Sequence, residues 1–342
     1  MLATLEVWTA PVQPLWTAGG WMPGLAAIGG RPTAGELSEP PTAATRPRVL
    51  LVVGSDRRAR PSSRFGRLTG ERADLVMLVG LTPALRRTQV LSLPRDLGIE
   101  VPGLGPGKLG SALTYGGPPA MVRAVRTLTG LPVHHYLELD FTAVAAAVDA
   151  VGGVTVELPR PGRDLVTGFR ARQGLRRLDG RLAVAYARSR HYQERHGSVW
   201  APAEGGDLGR IQRQQRLLVA LRQRLPRPPG TAGLLGAWFR MAGHTTVDSR
   251  LTVGEAWGLL GALRSWPLEG RDIRTLPTRP AIAPAAAVSP FPPFHLGAVP
   301  SLRPREPAAT ALLEAFGTGT ALSTADARAA DPRGADPRGA DR

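Results

Sequence analysis

The stretch RVLLVVGSD, residues 48–56, decides the fold. Five apolar residues follow the arginine without interruption, and Gly-Ser-Asp comes directly after them. A short apolar run bounded by turn residues is typical of a buried strand. We therefore predict a buried strand here, followed by a loop that carries Asp56.

Strands and helices alternate beyond this strand. Further strands are predicted at 73–81, 87–96, 134–141 and 154–159. Helices are predicted at 118–130, 142–151, 179–187, 207–225 and 254–266. In the helix 207–225, Ile211, Leu218 and Leu225 form an apolar stripe, and Asp207 is predicted to cap the first turn. This alternation is typical of a layered α/β or α+β domain.

The two ends of the chain differ from the middle in composition. The run from Val7 to Gly30 has no charge, but its prolines and glycines make it a weak membrane candidate and a poor signal peptide. Proline is dense from 277 to 307, where we expect no regular structure, and the final ADPRGADPRGADR has no large apolar residue. The predicted division is a poorly structured or membrane-proximal segment and linker over 1–47, one domain over 48–276, and a Pro-rich, disordered tail over 277–342. Residues 57–71 are predicted to form a loop.

Charge and composition restrict the partners. The formal net charge is +16, so polyanions should be attracted to the chain. Lys108 is the only lysine among 43 basic residues, which marks it as a candidate for a specific role. The absence of cysteine excludes disulfides, thiolate metal sites and cysteine nucleophiles. The run GLGPGK at 103–108 lacks the spacing of a P-loop, and no nucleic-acid-binding motif is found.

Three aspartates lie at the ends of predicted strands. Asp56 ends the first strand, Asp74 begins the second and Asp96 ends the third. Strand ends are where ligands bind in layered α/β proteins. Carboxylates gathered there beside arginines would suit a hard cation that holds a phosphate, whereas each aspartate alone is typical of a turn.

Arginines are concentrated near the same element ends. Arg188 and Arg190 lie two apart, so they share a side only if the chain is extended, and the helix before them should end near Arg188. Arg95 lies at a strand end, while Arg210 and Gln214 lie on one helix edge. Guanidiniums that converge on one cavity would neutralise a diphosphate. The alternative is a solvated basic face. Among the histidines, His134 and His135 are predicted to be structural, and His191 and His196 to lie in a solvated loop.

Together these segments resemble the LytR-CpsA-Psr family of bacterial cell-wall enzymes. The resemblance extends in order over about 48–225, and its most specific part is Y-A-R-S-R followed by G-D-x-G-R-x-x-R-Q-Q. It implies an α/β/α sandwich around a mixed central sheet, with a hydrophobic cavity for a polyprenyl chain. It also implies transfer of a glycan phosphate from a polyprenyl diphosphate carrier to a peptidoglycan sugar hydroxyl, at the extracytoplasmic face of the membrane or in the cell wall.

The resemblance also implies roles for individual residues. Asp56 and Asp74 would hold Mg²⁺, and either Asp74 or Asp96 would be the base. The diphosphate would be bound by Arg72, Arg95, Arg188, Arg190 and Arg210, supported by Lys108, Asp207 and Gln214. Arg72 would also assist the chemical step. Expected partners are the polyprenyl diphosphate-linked glycan, the peptidoglycan acceptor and a membrane surface, with no nucleic acid.

Two features depart from the family pattern, and other functions stay open. Leu75 stands where the family usually has Ser or Thr, and sixteen residues separate Arg190 from Asp207, enough for a lid or an acceptor-binding loop that includes Trp200. The alternatives are a polyprenyl diphosphate phosphohydrolase that needs no acceptor and a non-catalytic binder of anionic polymer or lipid. A nucleic-acid-binding module is the least favoured.

Overall fold

The structure is a computed structural model that describes residues 31–56, 72–101, 105–203, 206–225, 241–268, 272–283 and 299–320. The predictions made for 1–30, the loop 57–71 and the repeat 330–342 lie outside the described residues. The mixed α/β architecture predicted from the sequence is confirmed.

A six-stranded mixed sheet forms the middle of the fold. It comprises β1 (Arg48–Ser55), β2 (Ala73–Thr82), β3 (Arg87–Ser92), β6 (His135–Asp140), β13 (Thr245–Val247) and β14 (Ile273–Thr275). The strand order is β13-β6-β1-β2-β3-β14, with β1 parallel to β6 and antiparallel to β2. The quoted stretch therefore forms one of the two central strands, as its continuous apolar run requires.

Both faces of the sheet are covered, which makes three layers. Val49, Leu51 and Val53 of β1 pack on one face, against α1 (Leu109–Thr129) and α6 (Ala308–Thr318). The alternate residues Leu50 and Val52 face the opposite layer, which includes α5 (Val253–Ser265) and Leu218 of α4 (Gly206–Arg224). Successive side chains of a strand point to opposite faces, so one apolar run supplies both cores.

Helix α1 starts nine residues earlier than predicted. Its two halves meet at Gly117, where φ is 64° and ψ is −167°, followed by Pro118 and Pro119. The predicted helix 118–130 is the second half alone, because proline at a helix start is a strong signal and the first half, after the cap residue Lys108, carries no comparable one. Gly130 closes the helix in the left-handed conformation, as its position predicts.

A second core lies beside the sheet. It is formed by α2 (Phe141–Ala150), α3 (Gly180–Arg188), β7 (Val154–Leu158), β10 (Gly174–Leu178) and one side of α4. Gly180 lets α3 lie directly on α2, since a Cβ there would be 2.3 Å from the carbonyl oxygen of Ala145. Asp179 caps α3 by accepting the N–H of Leu182 at 2.7 Å.

A small antiparallel sheet extends from this core. It contains β8 (Gly162–Asp164), β9 (Phe169–Ala171), β11 (Gln193–His196) and β12 (Val199–Pro202), in the order β12-β11-β8-β9. The long interval between Arg190 and Asp207 is thus a hairpin that adds to a sheet. Trp200 lies on it beneath Arg163, whose guanidinium carbon is 4.3 Å from the ring centre. His196 belongs to β11 and is exposed, so the loop predicted around it is a strand.

The described residues on either side of the predicted domain, before 48 and after 276, contain more regular structure and packing than the sequence predicts. In the expected linker 31–47, Leu37 is buried in the main core and the N–H of Ser38 donates to the carbonyl of Val133 at 2.7 Å. In the expected irregular tail, β15 (Thr278–Ala283) pairs with β16 (Val299–Pro304). Helix α6 then buries Leu312 and Phe316 against the sheet. The division at 47 and 276 otherwise stays a prediction.

Two smaller findings concern His134 and membrane spans. His134 is buried and its Nδ1 accepts the N–H of Val49 at 2.8 Å, and burial lowers its pKa to about 4. The neutral ring fixes the start of β6 beside β1, so its predicted structural role is confirmed. Among the described residues, no helix combines the length and hydropathy needed to cross a bilayer.

The packing of α6 predicts that Phe316→Ala lowers the free energy of unfolding by about 3–5 kcal/mol, because the ring is buried over the sheet. Urea unfolding of the full chain measures this. Glu314→Ala, on the exposed side of the same helix, is the control and should change stability by less than about 0.5 kcal/mol. Equal stability of the two variants would contradict the placement of α6 in the core.

The contact between α3 and α2 predicts that Gly180→Ala destabilises the protein by about 1–3 kcal/mol, since the new methyl group overlaps the backbone of α2. The control is Gly261→Ala, in α5, where a Cβ meets nothing within 4 Å. That substitution should stabilise by about 0.5–1 kcal/mol through helix propensity. Thermal unfolding of both variants provides the comparison, and a stabilised Gly180 variant would show that the two helices are not in contact there.

Candidate functional site

The first group of site residues lies at one edge of the central sheet. Ser55 pairs with Ala73, and the N–H of Asp56 donates to the carbonyl of Arg72 at 3.0 Å. The antiparallel pairing of β1 and β2 therefore places Asp56, Arg72 and Asp74 at the same edge, as the sequence predicts.

Asp74 is the point at which two other elements meet the sheet. Its Oδ1 accepts a hydrogen bond from Nη1 of Arg95, in the turn after β3, and lies 3.5 Å from Nη1 of Arg210, in α4. Gly110 allows this close arrangement, since a Cβ there would be 3.1 Å from the carbonyl oxygen of Ala73 and 3.2 Å from Cβ of Arg95. Three separate elements thus deliver a carboxylate and two guanidiniums to one place.

Asp207 is a second meeting point. Its Oδ1 lies 2.5 Å from Nη2 of Arg210, 3.4 Å from Nη2 of Arg190 and 3.8 Å from Nε of Arg95. The prediction that Asp207 caps α4 is wrong, because the helix already includes Gly206 and Asp207 lies inside the first turn. Its carboxylate turns instead to the three arginines.

Asp96 binds the single lysine of the chain. The hairpin of β4 (Gly98–Val101) and β5 (Gly105–Lys108) returns Lys108 to its start, and Nζ lies 3.0 Å from Oδ1 of Asp96. Burial alone would raise the pKa of Asp96, but the hydrogen bond and charge of Lys108, with the charges of Arg95 and Arg190, lower it below its ordinary value. Asp96 is therefore firmly ionised at neutral pH.

Gln214 joins the site to the second core. Its Nε2 lies 3.5 Å from the carbonyl oxygen of Asp74 and 3.4 Å from that of Ala187. Arg210 precedes it by four residues, so the two side chains lie on the same edge of α4, as predicted. The residues brought together by these contacts are called the arginine cluster: Asp74, Arg95, Asp96, Lys108, Arg190, Asp207, Arg210 and Gln214.

Arg188 and Arg190 take separate positions. Helix α3 ends at Arg188, as predicted. Arg190 joins the arginine cluster through Asp207, whereas the guanidinium of Arg188 stacks on the ring of Phe141 at 4.3 Å, where β6 meets α2. Sequence reasoning missed Phe141, and its only signal was an aromatic residue directly after a strand ending in aspartate. Arg72 lies outside the cluster: its side chain is exposed, and among the described residues no ion pair joins it to Asp74, Asp96 or Asp207.

The arginine cluster has more cations than carboxylates. Arg95, Lys108, Arg190 and Arg210 face Asp74, Asp96 and Asp207, which leaves an excess of one positive charge. Burial lowers the pKa of Arg210, which the charge of Asp207 opposes. Within the described part of the chain, Nε of Arg95, Nε of Arg210 and Oδ2 of Asp207 are buried and have no hydrogen-bond partner. Unsatisfied buried donors beside excess positive charge suit an anion with several oxygens.

The edge also fits a hard cation in part. Among the described residues, no three acidic or histidine side chains gather as a metal cage. Mg²⁺ does not need such a cage, since one or two carboxylates and substrate phosphates commonly hold it. Asp56 and Asp74 lie at adjacent strand ends, and the arginine contacts of Asp74 run through Oδ1. The residues present are therefore compatible with the cation, which stays a prediction.

One cavity among the described residues is separate from this site. It is small and is lined by Gln89, Asp272, Arg274 and Phe316, among others. It shares no residue with the arginine cluster. The apolar cavity expected for a polyprenyl chain stays a prediction.

Two curated relatives of the chain have names that refer to the cell wall or its polymers. The chain is 32% identical over 212 residues to the probable cell wall biosynthesis protein LcpB of Corynebacterium glutamicum, which covers 60% of this chain and 48% of that protein. It is 31% identical over 155 residues to the polyisoprenyl-teichoic acid–peptidoglycan teichoic acid transferase TagU of Oceanobacillus iheyensis, over 44% of this chain and 45% of TagU. The chain spans about half the length of the curated relatives it matches.

Solved structures share the fold. A LytR-Csp2A-Psr enzyme from Actinomyces oris aligns with a TM-score of 0.58 and 26% identity, over 85% of this chain and 98% of that one. TagV of B. subtilis aligns with a TM-score of 0.60 and 19% identity, over 81% and 99%. The model of the LytR_cpsA_psr family matches residues 30–233. Because that match takes in more than half of the chain and every residue of the arginine cluster, the chain belongs to the LytR_cpsA_psr family.

Proposed function

We propose that this protein is an enzyme that attaches a cell-envelope glycopolymer to peptidoglycan. It would move a glycan phosphate from a polyprenyl diphosphate carrier to a sugar hydroxyl, at the extracytoplasmic face of the membrane. The observation that carries the proposal is the arginine cluster. The names of LcpB and TagU, which refer to cell wall biosynthesis and teichoic acid transfer to peptidoglycan, support the same class of substrate.

A diphosphate suits the arginine cluster better than a single charge does. Arg95 and Arg210 both contact Asp74 and Asp207, and Arg190 joins them at Oδ1 of Asp207. Three guanidiniums arranged around two carboxylates present donors in several directions, which matches the oxygens of two linked phosphates. A monoanionic ligand would leave most of these donors without partners.

The transfer itself is a displacement at phosphorus. The oxygen of the acceptor hydroxyl attacks the phosphorus that carries the glycan, and the bond from that phosphorus to the bridging oxygen breaks. Polyprenyl monophosphate leaves, and the hydroxyl proton passes to a carboxylate. Arg95 and Arg210 would stabilise charge on the phosphoryl oxygens, since phosphoryl transfer depends on positioning and charge neutralisation.

Mg²⁺, held by Asp56 and Asp74, would neutralise charge on the diphosphate. Between the two candidate bases, Asp74 contacts both Arg95 and Arg210, the guanidiniums assigned to the phosphoryl oxygens, whereas Asp96 is held by Lys108. We therefore assign Asp74 as the acceptor of the hydroxyl proton. Asp96 would instead hold Lys108 in position. Leu75 packs into the core beneath the sheet and leaves no hydroxyl at this position.

The assignment of Asp74 predicts that Asp74→Asn lowers the transfer rate by at least about a hundredfold. Asparagine cannot accept the proton, and it is an uncharged and therefore weaker ligand for the cation. The assay follows transfer from a lipid-linked glycan to peptidoglycan, with and without Mg²⁺. Asp96→Asn is the comparison and should retain the larger activity. Unchanged turnover in the Asp74 variant would refute its role. Release of polyprenyl phosphate without peptidoglycan at the full rate would identify a phosphohydrolase instead.

The arginine cluster predicts that Arg190→Ala weakens binding of farnesyl diphosphate by about 1.5 kcal/mol, roughly tenfold, through loss of a charged hydrogen bond. Calorimetric titration of the full chain in Mg²⁺ measures this. Arg181→Ala is the control for net charge, because it removes an exposed arginine near the start of α3, away from the Ser189 turn that carries Arg190. Equal weakening by both variants would show that binding depends on overall charge and would contradict a defined diphosphate site.

A further inference from the structure

One buried carboxylate holds the turn that carries the two arginines of the Y-A-R-S-R run. Asp164, at the end of β8, is only 1% exposed. Its Oδ2 accepts the hydroxyl of Ser189 at 2.5 Å and the N–H of His191 at 3.0 Å. Ser189 lies between Arg188 and Arg190, and His191 follows Arg190. The two bonds therefore hold the segment of chain that carries both arginines.

The other oxygen of Asp164 anchors the carboxylate itself. Oδ1 accepts the N–H of Val166 at 2.8 Å and of Thr167 at 3.1 Å. These bonds close the turn between β8 and β9. The carboxylate therefore joins two segments that are distant in sequence: the hairpin of β8 and β9, and the turn around Ser189 that carries Arg188 and Arg190.

A third element fixes the same turn. Arg213, on α4 and 4% exposed, donates from Nη2 to the carbonyl of Ser189, and its guanidinium carbon lies 4.8 Å from the ring centre of Tyr192. Arg210, on the same helix, belongs to the arginine cluster. The position of the Ser189 turn is thus set relative to the helix that supplies Arg210.

Such a support matters because Arg190 has little packing of its own. Its side chain is 42% exposed, and Asp207 is the partner that the structure gives it, at 3.4 Å. A long exposed side chain reaches a ligand reproducibly only if its backbone is fixed, since each free rotation adds an entropic cost to binding. The turn therefore determines how Arg190 meets its ligand.

The ionised form of Asp164 is the one that fits. Its four partners are all donors. Burial would raise the pKa of Asp164, but the hydroxyl of Ser189 and the N–H groups of Thr167, His191 and Val166 lower it below its ordinary value. An asparagine can keep only one oxygen as an acceptor and would present an NH₂ group to two of the donors.

We propose that Asp164 is a positioning residue, which fixes the Ser189 turn so that Arg190 is held in place for the anionic ligand and Arg188 keeps its position on Phe141. This inference rests on the proposed function only for the identity of that ligand. It needs no contact between Asp164 and the substrate.

The test uses Asp164→Asn in the full chain. Asp179→Asn is the matched control, because it makes the same change at a carboxylate that caps α3, where asparagine is an equally good cap. Binding is measured by titration with farnesyl diphosphate in Mg²⁺, below the melting temperatures of both variants. Asp164→Asn should bind roughly tenfold more weakly, which is the size of effect typical of residues that support a ligand-binding residue. Asp179→Asn should bind as tightly as the wild type.

A double-mutant cycle separates positioning from a general loss of structure. In the Arg188→Ala/Arg190→Ala background, Asp164→Asn should change the affinity by less than twofold, because the side chains on which it acts are gone. The same tenfold loss in that background would overturn the proposal.

Amide hydrogen exchange provides a readout that needs no ligand. In Asp164→Asn, exchange should accelerate in 188–192 relative to α4, and Asp179→Asn should leave this segment unchanged. Ser189→Ala, which removes one of the four bonds, should give a smaller acceleration and serves if Asp164→Asn does not fold. Unaltered exchange in 188–192 would refute the proposal. If the wild-type chain fails to bind farnesyl diphosphate, the proposed function is wrong, while the exchange result still decides the role of Asp164.

Discussion

The placement of Arg210 in the interior is the interaction on which the site depends. Arg210 is 2% exposed, and an uncompensated charge at such a position would cost several kcal/mol. Asp207 compensates it from its own helix and Asp74 from the central sheet. Helix α4 must therefore approach the first residues of β2 closely, and this contact brings Arg190, Arg95 and Gln214 into the same neighbourhood. The geometry of the arginine cluster follows from the need to neutralise one buried cation.

This arrangement also explains how a site rich in arginine can exist before its ligand arrives. The guanidiniums are separated by carboxylates that accept their hydrogen bonds, and mutual repulsion is thereby reduced. The proposed diphosphate would add its own oxygens to the remaining donors without rearranging the backbone, because Asp74, Asp96 and Asp207 keep the cations in place. Electrostatic preorganisation of this kind is the main contribution a protein makes to phosphoryl transfer.

Much of the fold could be predicted from the sequence, and the reasons are local. The apolar run of β1, the proline and glycine that bound the second half of α1, and the capping aspartate of α3 each determine structure within a few residues. The strand-end aspartates and the Y-A-R-S-R run likewise pointed to several of the residues that the structure brings together in the arginine cluster. The rest depends on tertiary contacts. Asp207 looks like a helix cap until the start of α4 is known, and Asp164 looks like an ordinary turn residue because its partners at 189–191 are distant in the chain. The pairing of β15 with β16 was missed because proline is unfavourable within a ladder.

The position of α6 bears on the order of biosynthesis. Phe316 and Leu312 cover the sheet face formed by β1 and β2, whose residues are synthesised more than two hundred residues earlier. Domains generally begin to fold while the chain is still growing, but this core cannot close until its C-terminal helix has emerged. During that interval the apolar face of the central strands is open to water and to other chains. Slow, long-range closure by α6 is accordingly expected to be the final step in folding this core.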